Sequence, residues 1–138
     1  MTTYLDSSVV LRILLGAPGA LTGWEAMHPV MSSALIEVEC LRTLDRLRLV
    51  DKISPEEIAL RREWVYDFVS RIDIVDITAP VLARAAQPLP VPLKTLDAIH
   101  LATAMLWREA EQDELVIATH DEALGLAARA VGFKVVGA

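Results

Sequence analysis

Four acids stand where a carboxylate is either costly or well placed for chemistry: Asp6, Glu39, Asp97 and Asp121. Asp97 is the sharpest case. It lies in Leu93 to Trp107, LKTLDAIHLATAMLW, whose apolar residues run almost all the way round and predict a helix buried on most sides. An ionised side chain among Leu96, Ala98, Ile99, Leu101 and Ala102 loses its hydration, which is unfavourable unless a cation or hydrogen bonds replace the water. Asp6 and Asp121 each follow a strand-like run, and Glu39 sits early in a long amphipathic segment. Carboxylates gathered without a cysteine or histidine set suit a hard, oxygen-seeking cation, Mg²⁺ or Mn²⁺, rather than structural zinc. Such an ion keeps several waters, accepts phosphate oxygens and neutralises the charge that grows on a phosphodiester under attack.

Each acid also has an ordinary structural use. Asp6 and Asp121 are good N-cap residues, Glu39 can pair with Arg42 one turn on, and Asp97 suits the positive end of its own helix. Glu37 is two positions from Glu39 and points elsewhere on the helix. His100, on so apolar a helix, reads first as a satisfied core residue.

The elements that must position these side chains alternate. Thr2 to Leu5 reads as a strand, Asp6-Ser7-Ser8 supplies capping residues, and a helix follows from Val9 to about Leu15 until Gly16-Ala17-Pro18-Gly19 breaks it. A short helix is expected over Ala20 to Met27. Val30 to Ser32 is a second strand, and Ser33 can cap ALIEVECLRTLDRLRL, where Leu35, Val38, Leu41, Leu44 and Leu47 recur near helical spacing. Ser54-Pro55-Glu56-Glu57 has a capping-box pattern and launches a helix to about Ser70. Ile72 to Ile77 alternates like an edge strand, and Thr78 caps a helix from Ala79 to about Ala86. After the central helix, the charged stretch Arg108 to Glu114 marks a surface turn and Leu115 to Ala118 is an apolar strand. Glu122 to Val131 is a helix with Gly132 as its C-cap, and Lys134 to Val136 is the last strand. This order predicts an α/β fold with a parallel sheet and helices on both faces. Ligands of such sheets bind beyond the carboxyl ends of the strands, where strand order reverses. If the first strand and the Leu115 strand are neighbours there, Asp6 and Asp121 face one crevice, which Glu39 and Asp97 complete.

The 138 residues fit one domain, 1–138, with room for a full core. The single cysteine, Cys40, excludes an internal disulfide framework. The start MTTYLDSS has no basic leader and no apolar run approaches membrane-spanning length, so a cytoplasmic protein with no membrane contact is expected. A net charge of −6 argues against a general polyanion binder, yet Arg42, Arg46, Arg48, Arg61, Arg62 and Arg71 concentrate positive charge in the middle third. Glu56, Glu57 and Glu63 offer ordinary salt-bridge partners for them. Hydrophobic residues make up 54% of the chain, and a mean hydropathy of +0.41 is high for a monomer, which predicts an oligomer or a covered partner face.

The segments YLDSS (4–8), SALIEVECLRTL (33–44), LKTLDAIHLATA (93–104) and ATHDEALGLAARAVGFKVV (118–136) resemble the PIN domain, specifically VapC-type toxin ribonucleases. LDAIHLATA is the most specific part. The resemblance implies a three-layer αβα sandwich with a five-stranded parallel sheet, Mg²⁺- or Mn²⁺-dependent cleavage of RNA, and inhibition by a small antitoxin. Carried over by position, the family's acids fall on Asp6, Glu39, Asp97 and Asp121, with Ser7, Ser8 or Thr119 assisting through hydroxyls. The expected protein is thus an endoribonuclease toxin of a type II pair and a homodimer. The competing expectations are a non-catalytic binding module on the same fold, or a nuclease for DNA or structured nucleic acid.

Overall fold

Adjacent residues of a strand point to opposite faces of its sheet, so even short strands can feed two separate cores. The computed structural model describes residues 1–23 and 26–138 and has that arrangement. In chain order its elements are β1 (Thr2–Leu5), α1 (Ser7–Leu15), β2 (Val30–Ser33), α2 (Leu35–Asp51), α3 (Pro55–Ser70), β3 (Asp73–Val75), α4 (Ala79–Ala85), α5 (Thr95–Glu111), β4 (Leu115–Ala118), α6 (Glu122–Ala130) and β5 (Lys134–Val136). The strands form one five-stranded sheet in the order β3-β2-β1-β4-β5, and every pairing is parallel. From β1 the chain steps outward to β2 and β3, then returns to lay β4 on the other side of β1. Strand order therefore reverses between β1 and β4, which meets the condition under which Asp6 and Asp121 fall at one end of the sheet.

Tyr4, Met31 and Ile117 point to one face and pack with Leu101 and Ala104 of α5 and with Leu124, Ala127 and Ala128 of α6. Their neighbours Leu5, Val30 and Ala118 point to the other face and meet Val9, Ile36, Leu44, Val65 and Phe68 from α1, α2 and α3. Leu35, Val81, Ile99 and Ala102 join α2, α4 and α5 in a smaller cluster. Each fully buried aliphatic side chain contributes roughly 1.5–3 kcal/mol of apolar transfer. The result is the three-layer αβα sandwich.

Local chemistry explains where element boundaries differ from expectation. The central helix, expected over Leu93 to Trp107, begins at Thr95 after an extended Lys94. It continues through Arg108 to Glu111 until Gln112 enters the left-handed region at φ 50, so part of the expected surface turn is helical. Ser33 belongs to β2 rather than capping α2. Ala34 holds the cap position, and Ser33 Oγ still accepts the Leu35 N–H at 3.1 Å. The edge strand shrinks to Asp73–Val75. Gly132 lies one residue past the cap Val131, with the φ of 94 that glycine tolerates there. The short helix expected over Ala20 to Met27 includes Trp24 and Glu25, which lie outside the described residues; Ala20 to Gly23 is not helical.

The start of α3 follows the sequence pattern, with Pro55 in the first turn and Ser54 Oγ accepting the Glu57 N–H at 3.1 Å. Ser54→Ala is expected to lower stability by about 1 kcal/mol, the usual worth of such a cap. Urea unfolding measures it, and an unchanged midpoint would mean that packing alone holds this helix end.

Candidate active site

Asp6 leaves β1 at the reversal, where its N–H donates to Ala118 O at 3.0 Å and ties the end of β1 to the end of β4. Its side chain is 3% exposed. Although Asp6 occupies the N-cap position of α1, its carboxylate makes no capping hydrogen bond. Oδ2 instead accepts from Ser8 Oγ at 2.6 Å and from Thr119 Oγ1 at 2.8 Å. The same hydroxyls hold the turn after β4: Ser8 Oγ accepts the His120 N–H at 2.9 Å, and Thr119 Oγ1 accepts the Asp121 N–H at 3.0 Å. Asp121 does have its structural use, since Oδ1 accepts the Leu124 N–H at 2.8 Å and caps α6.

Glu39 projects from α2 toward α5. One oxygen, Oε1, meets His100 Nε2 at 2.5 Å, and the other accepts from Ser7 Oγ at 3.3 Å. Arg42, offered by the sequence as a partner for Glu39, pairs with Asp45 at 3.4 Å instead. Asp97 is in the first turn of α5 and half-buried. Burial, and then the negative charges of Asp121, Asp6 and Glu39, push its carboxyl up from 3.8 to about 6, with His100 pulling the other way. The other three acids thus all lie within electrostatic reach of Asp97.

His100 is fully buried one turn after Asp97. It touches Glu39 through Nε2, lies 3.7 Å from Asp6 Oδ1, and shares a hydrogen bond between Nδ1 and the Tyr4 hydroxyl at 2.5 Å. Burial works against its charged form, but the Glu39 hydrogen bond and the charges of Asp6, Glu39 and Asp97 outweigh it and raise its pKa. Burial and the nearby Asp6 charge hold the Tyr4 phenol well above 10, so it keeps its proton. This Tyr4–His100–Glu39 chain was not legible in the sequence. Its one signal is the inward-facing tyrosine two residues before Asp6.

Ser7, Glu39, Asp97 and Asp121 line a crevice of about 680 Å³ together with Arg42, Thr43 and Arg46, which share the α2 face of Glu39, and Lys94 at the start of α5. Arg48 pairs with Asp45 at 3.0 Å instead of lining it. Glu37 lies in a hollow of about 690 Å³ that holds none of the four acids. Among the described residues, no three acidic, histidine or cysteine side chains already stand at metal-ligand spacing. The donor set still fits a hard divalent cation. Its donors are carboxylate oxygens, their repulsion is registered in the raised pKa of Asp97, and the buried His100 is the nearby group that offsets it.

Residues 3–130 match the family model of the PIN domain. The chain belongs to the PIN-domain family. This PIN domain is 34% identical over 136 residues to ribonuclease VapC46 of Mycobacterium tuberculosis, covering 96% of this chain and 95% of that protein. Ribonuclease VapC47 of the same species is 28% identical over 132 residues, covering 94% and 92%. These relatives make it a PIN domain of the VapC type. A chain of a toxin–antitoxin complex from Klebsiella pneumoniae shares its fold, with a TM-score of 0.70 at 20% identity over 99% of this chain and 98% of that one. No helix among the described residues is long and apolar enough to cross a membrane.

Proposed function

We propose that this PIN domain is a metal-dependent endoribonuclease, the toxin of a type II toxin–antitoxin pair, acting in the cytoplasm. The observation that carries the reading is that Glu39, Asp97 and Asp121 line one crevice together with Arg42, Arg46 and Lys94, while the charge of the buried Asp6 is felt at Asp97. Those acids would hold one or two Mg²⁺ or Mn²⁺ ions, directly or through waters. When bound, such an ion lowers the pKa of water and neutralises charge on the phosphodiester. The arginines and Lys94 take the flanking phosphates of an RNA strand, while the part-buried Ser8 and the buried Thr119 hydroxyls hold Asp6 Oδ2 in place at the β1/β4 end. In this reading water, not the RNA's own 2′-hydroxyl, is the nucleophile and the 3′-oxygen is the leaving group, so the products carry a 5′-phosphate and a 3′-hydroxyl. Matched RNA and DNA strands, incubated with the protein in EDTA and in Mn²⁺, test it. Cleavage confined to RNA with Mn²⁺ is expected. Cleavage of neither strand favours a binding module, and cleavage of both favours a less selective nuclease.

The same reading includes a homodimer and a small antitoxin that cover apolar surface. Leu49 at 70%, Val50 at 77% and Leu60 at 62% exposure leave such surface available at the α2–α3 turn and nearby. Light scattering of the purified chain checks the dimer, and a monomer throughout the micromolar range sinks it.

Arg42→Glu with Arg46→Glu is expected to weaken RNA binding and flatten its salt dependence. Every phosphate that is no longer neutralised should lower the slope by roughly 0.7 on a single strand. An unchanged slope would leave both arginines as solvated surface.

A further inference from the structure

Two of the four carboxylates face one buried hydrogen-bond donor. His100 Nε2 lies 2.5 Å from Glu39 Oε1 and 3.7 Å from Asp6 Oδ1, while its Nδ1 is held by the hydroxyl of Tyr4, itself 1% exposed. An ionised carboxylate only accepts, so the hydrogen shared with Glu39 sits on Nε2 whether the ring is neutral or charged. In the neutral ring Nδ1 is then the acceptor, and the Tyr4 O–H donates to it. Tyr4 and Glu39 therefore select the same tautomer from opposite sides of the ring. The sheet supplies the rigidity: Tyr4 is on β1, paired with both β2 and β4.

We propose that Tyr4 and His100 are positioning residues: Tyr4 fixes the plane of the His100 ring, and the Nε2–H holds Glu39 Oε1 so that Oε2, beside Ser7, is presented to the crevice. The inference rests on the crevice being the metal-dependent nuclease centre. A glutamate held by one oxygen no longer samples the rotamers that would carry the other away. Carboxylates that ligate metals are commonly fixed by such outer hydrogen bonds, whose loss costs roughly 10- to 100-fold in metal affinity or activity.

The full chain and its His100→Ala, His100→Gln and Tyr4→Phe variants test this, with Mn²⁺ alone as the probe and circular dichroism as the control for folding. His100→Ala is expected to bind Mn²⁺ roughly 10- to 100-fold more weakly and to lose RNA cleavage in kcat with little change in KM, since the arginine wall is untouched. His100→Gln, whose amide N–H reaches toward the same acceptor, recovers part of both, and Tyr4→Phe shows a smaller loss than His100→Ala. In ¹⁵N spectra of the metal-free wild type, Nε2 of His100 carries hydrogen. Where His100→Ala does not fold, the Gln and Phe variants and the spectrum decide. Full Mn²⁺ affinity in folded variants, or a ring protonated on Nδ1 with a bare Nε2, overturns the positioning role alone. A wild type that neither binds Mn²⁺ nor cleaves RNA removes the nuclease reading and this role with it.

Discussion

Asp97→Asn is expected to abolish RNA cleavage while leaving the metal-free protein at least as stable as the wild type. The two halves of this result separate a metal site from a structural acid. If Asp97 served only the positive end of α5, the amide would cost a few tenths to about 1 kcal/mol with or without metal, because only a helix-dipole attraction is removed. In the crevice the dominant effects are different. Burial and the charges of Asp121, Asp6 and Glu39 already disfavour its ionised form, raising its carboxyl to about 6. Carboxylates about 5 Å apart repel by roughly 3 kcal/mol at an effective dielectric of about 20, which exceeds the dipole term. Removing one charge relieves that repulsion. Mn²⁺ should reverse the order: at about 100 times its dissociation constant it stabilises the wild type by roughly 2.7 kcal/mol and the variant by much less. Thermal melts of both proteins in EDTA and in excess Mn²⁺, beside a cleavage assay, are the measurement. A destabilised metal-free variant with an undiminished Mn²⁺ response and intact cleavage would make Asp97 structural.

The acids were legible because their positions follow from element order. Once β1 and β4 are neighbours, Asp6 and the turn containing Asp121 must lie at one end of the sheet, and the start of α5 brings Asp97 within reach of both charges. The α3 start was legible for the same reason, since Ser54, Pro55 and Glu57 are in contact along the chain. What escaped was long-range. Tyr4 and Glu39 meet His100 across 96 and 61 residues of sequence, and no periodicity encodes a hydrogen bond of that kind. His100 looked like core because it is core; being buried between a phenol and a carboxylate is what gives it a task. Asp6 looked like a cap because the residue type fits, but two hydroxyls compete with the helix N–H groups and win.

Arg48 shows how much geometry a residue count omits. On a helix of 3.6 residues per turn, Arg46 lies about 40° around from Arg42, while Arg48 lies about 240° around. Arg42 and Arg46 accordingly share the crevice wall, and Arg48 turns to Asp45. Charge concentrated in one third of the sequence became a groove only where helical phase kept it on one face.

The metal-free protein should lose stability as pH rises through weakly acidic values, and the difference between wild type and Asp97→Asn should isolate the cause. A carboxyl at 3.8 in the unfolded chain and about 6 in the folded one binds more protons when folded between those values. Protonation there favours the fold, so stability is highest below pH 3.8 as far as this group is concerned and falls until the carboxyl has ionised above about 6. A rise from 3.8 to about 6 corresponds to at most about 3 kcal/mol, reduced because Asp97 is only half-buried. His100 acts in the same direction over a later window. Its pKa is raised above 6.5, so its contribution is present below that value and fades as pH climbs through the folded pKa. The wild-type curve therefore mixes two groups, but both proteins contain His100. Asp97 is also the smallest of the charge effects that raise His100, so subtracting one denaturation series from the other leaves Asp97 together with its pull on His100, with the Asn variant gaining on the wild type from about pH 4 to pH 7. Saturating Mn²⁺ should erase or invert that gain, because a bound cation favours the ionised carboxylate that the metal-free site penalises. Parallel curves across the whole range would mean that Asp97 does not share a charged crevice with Asp6, Glu39 and Asp121, and the site would then lose its central member.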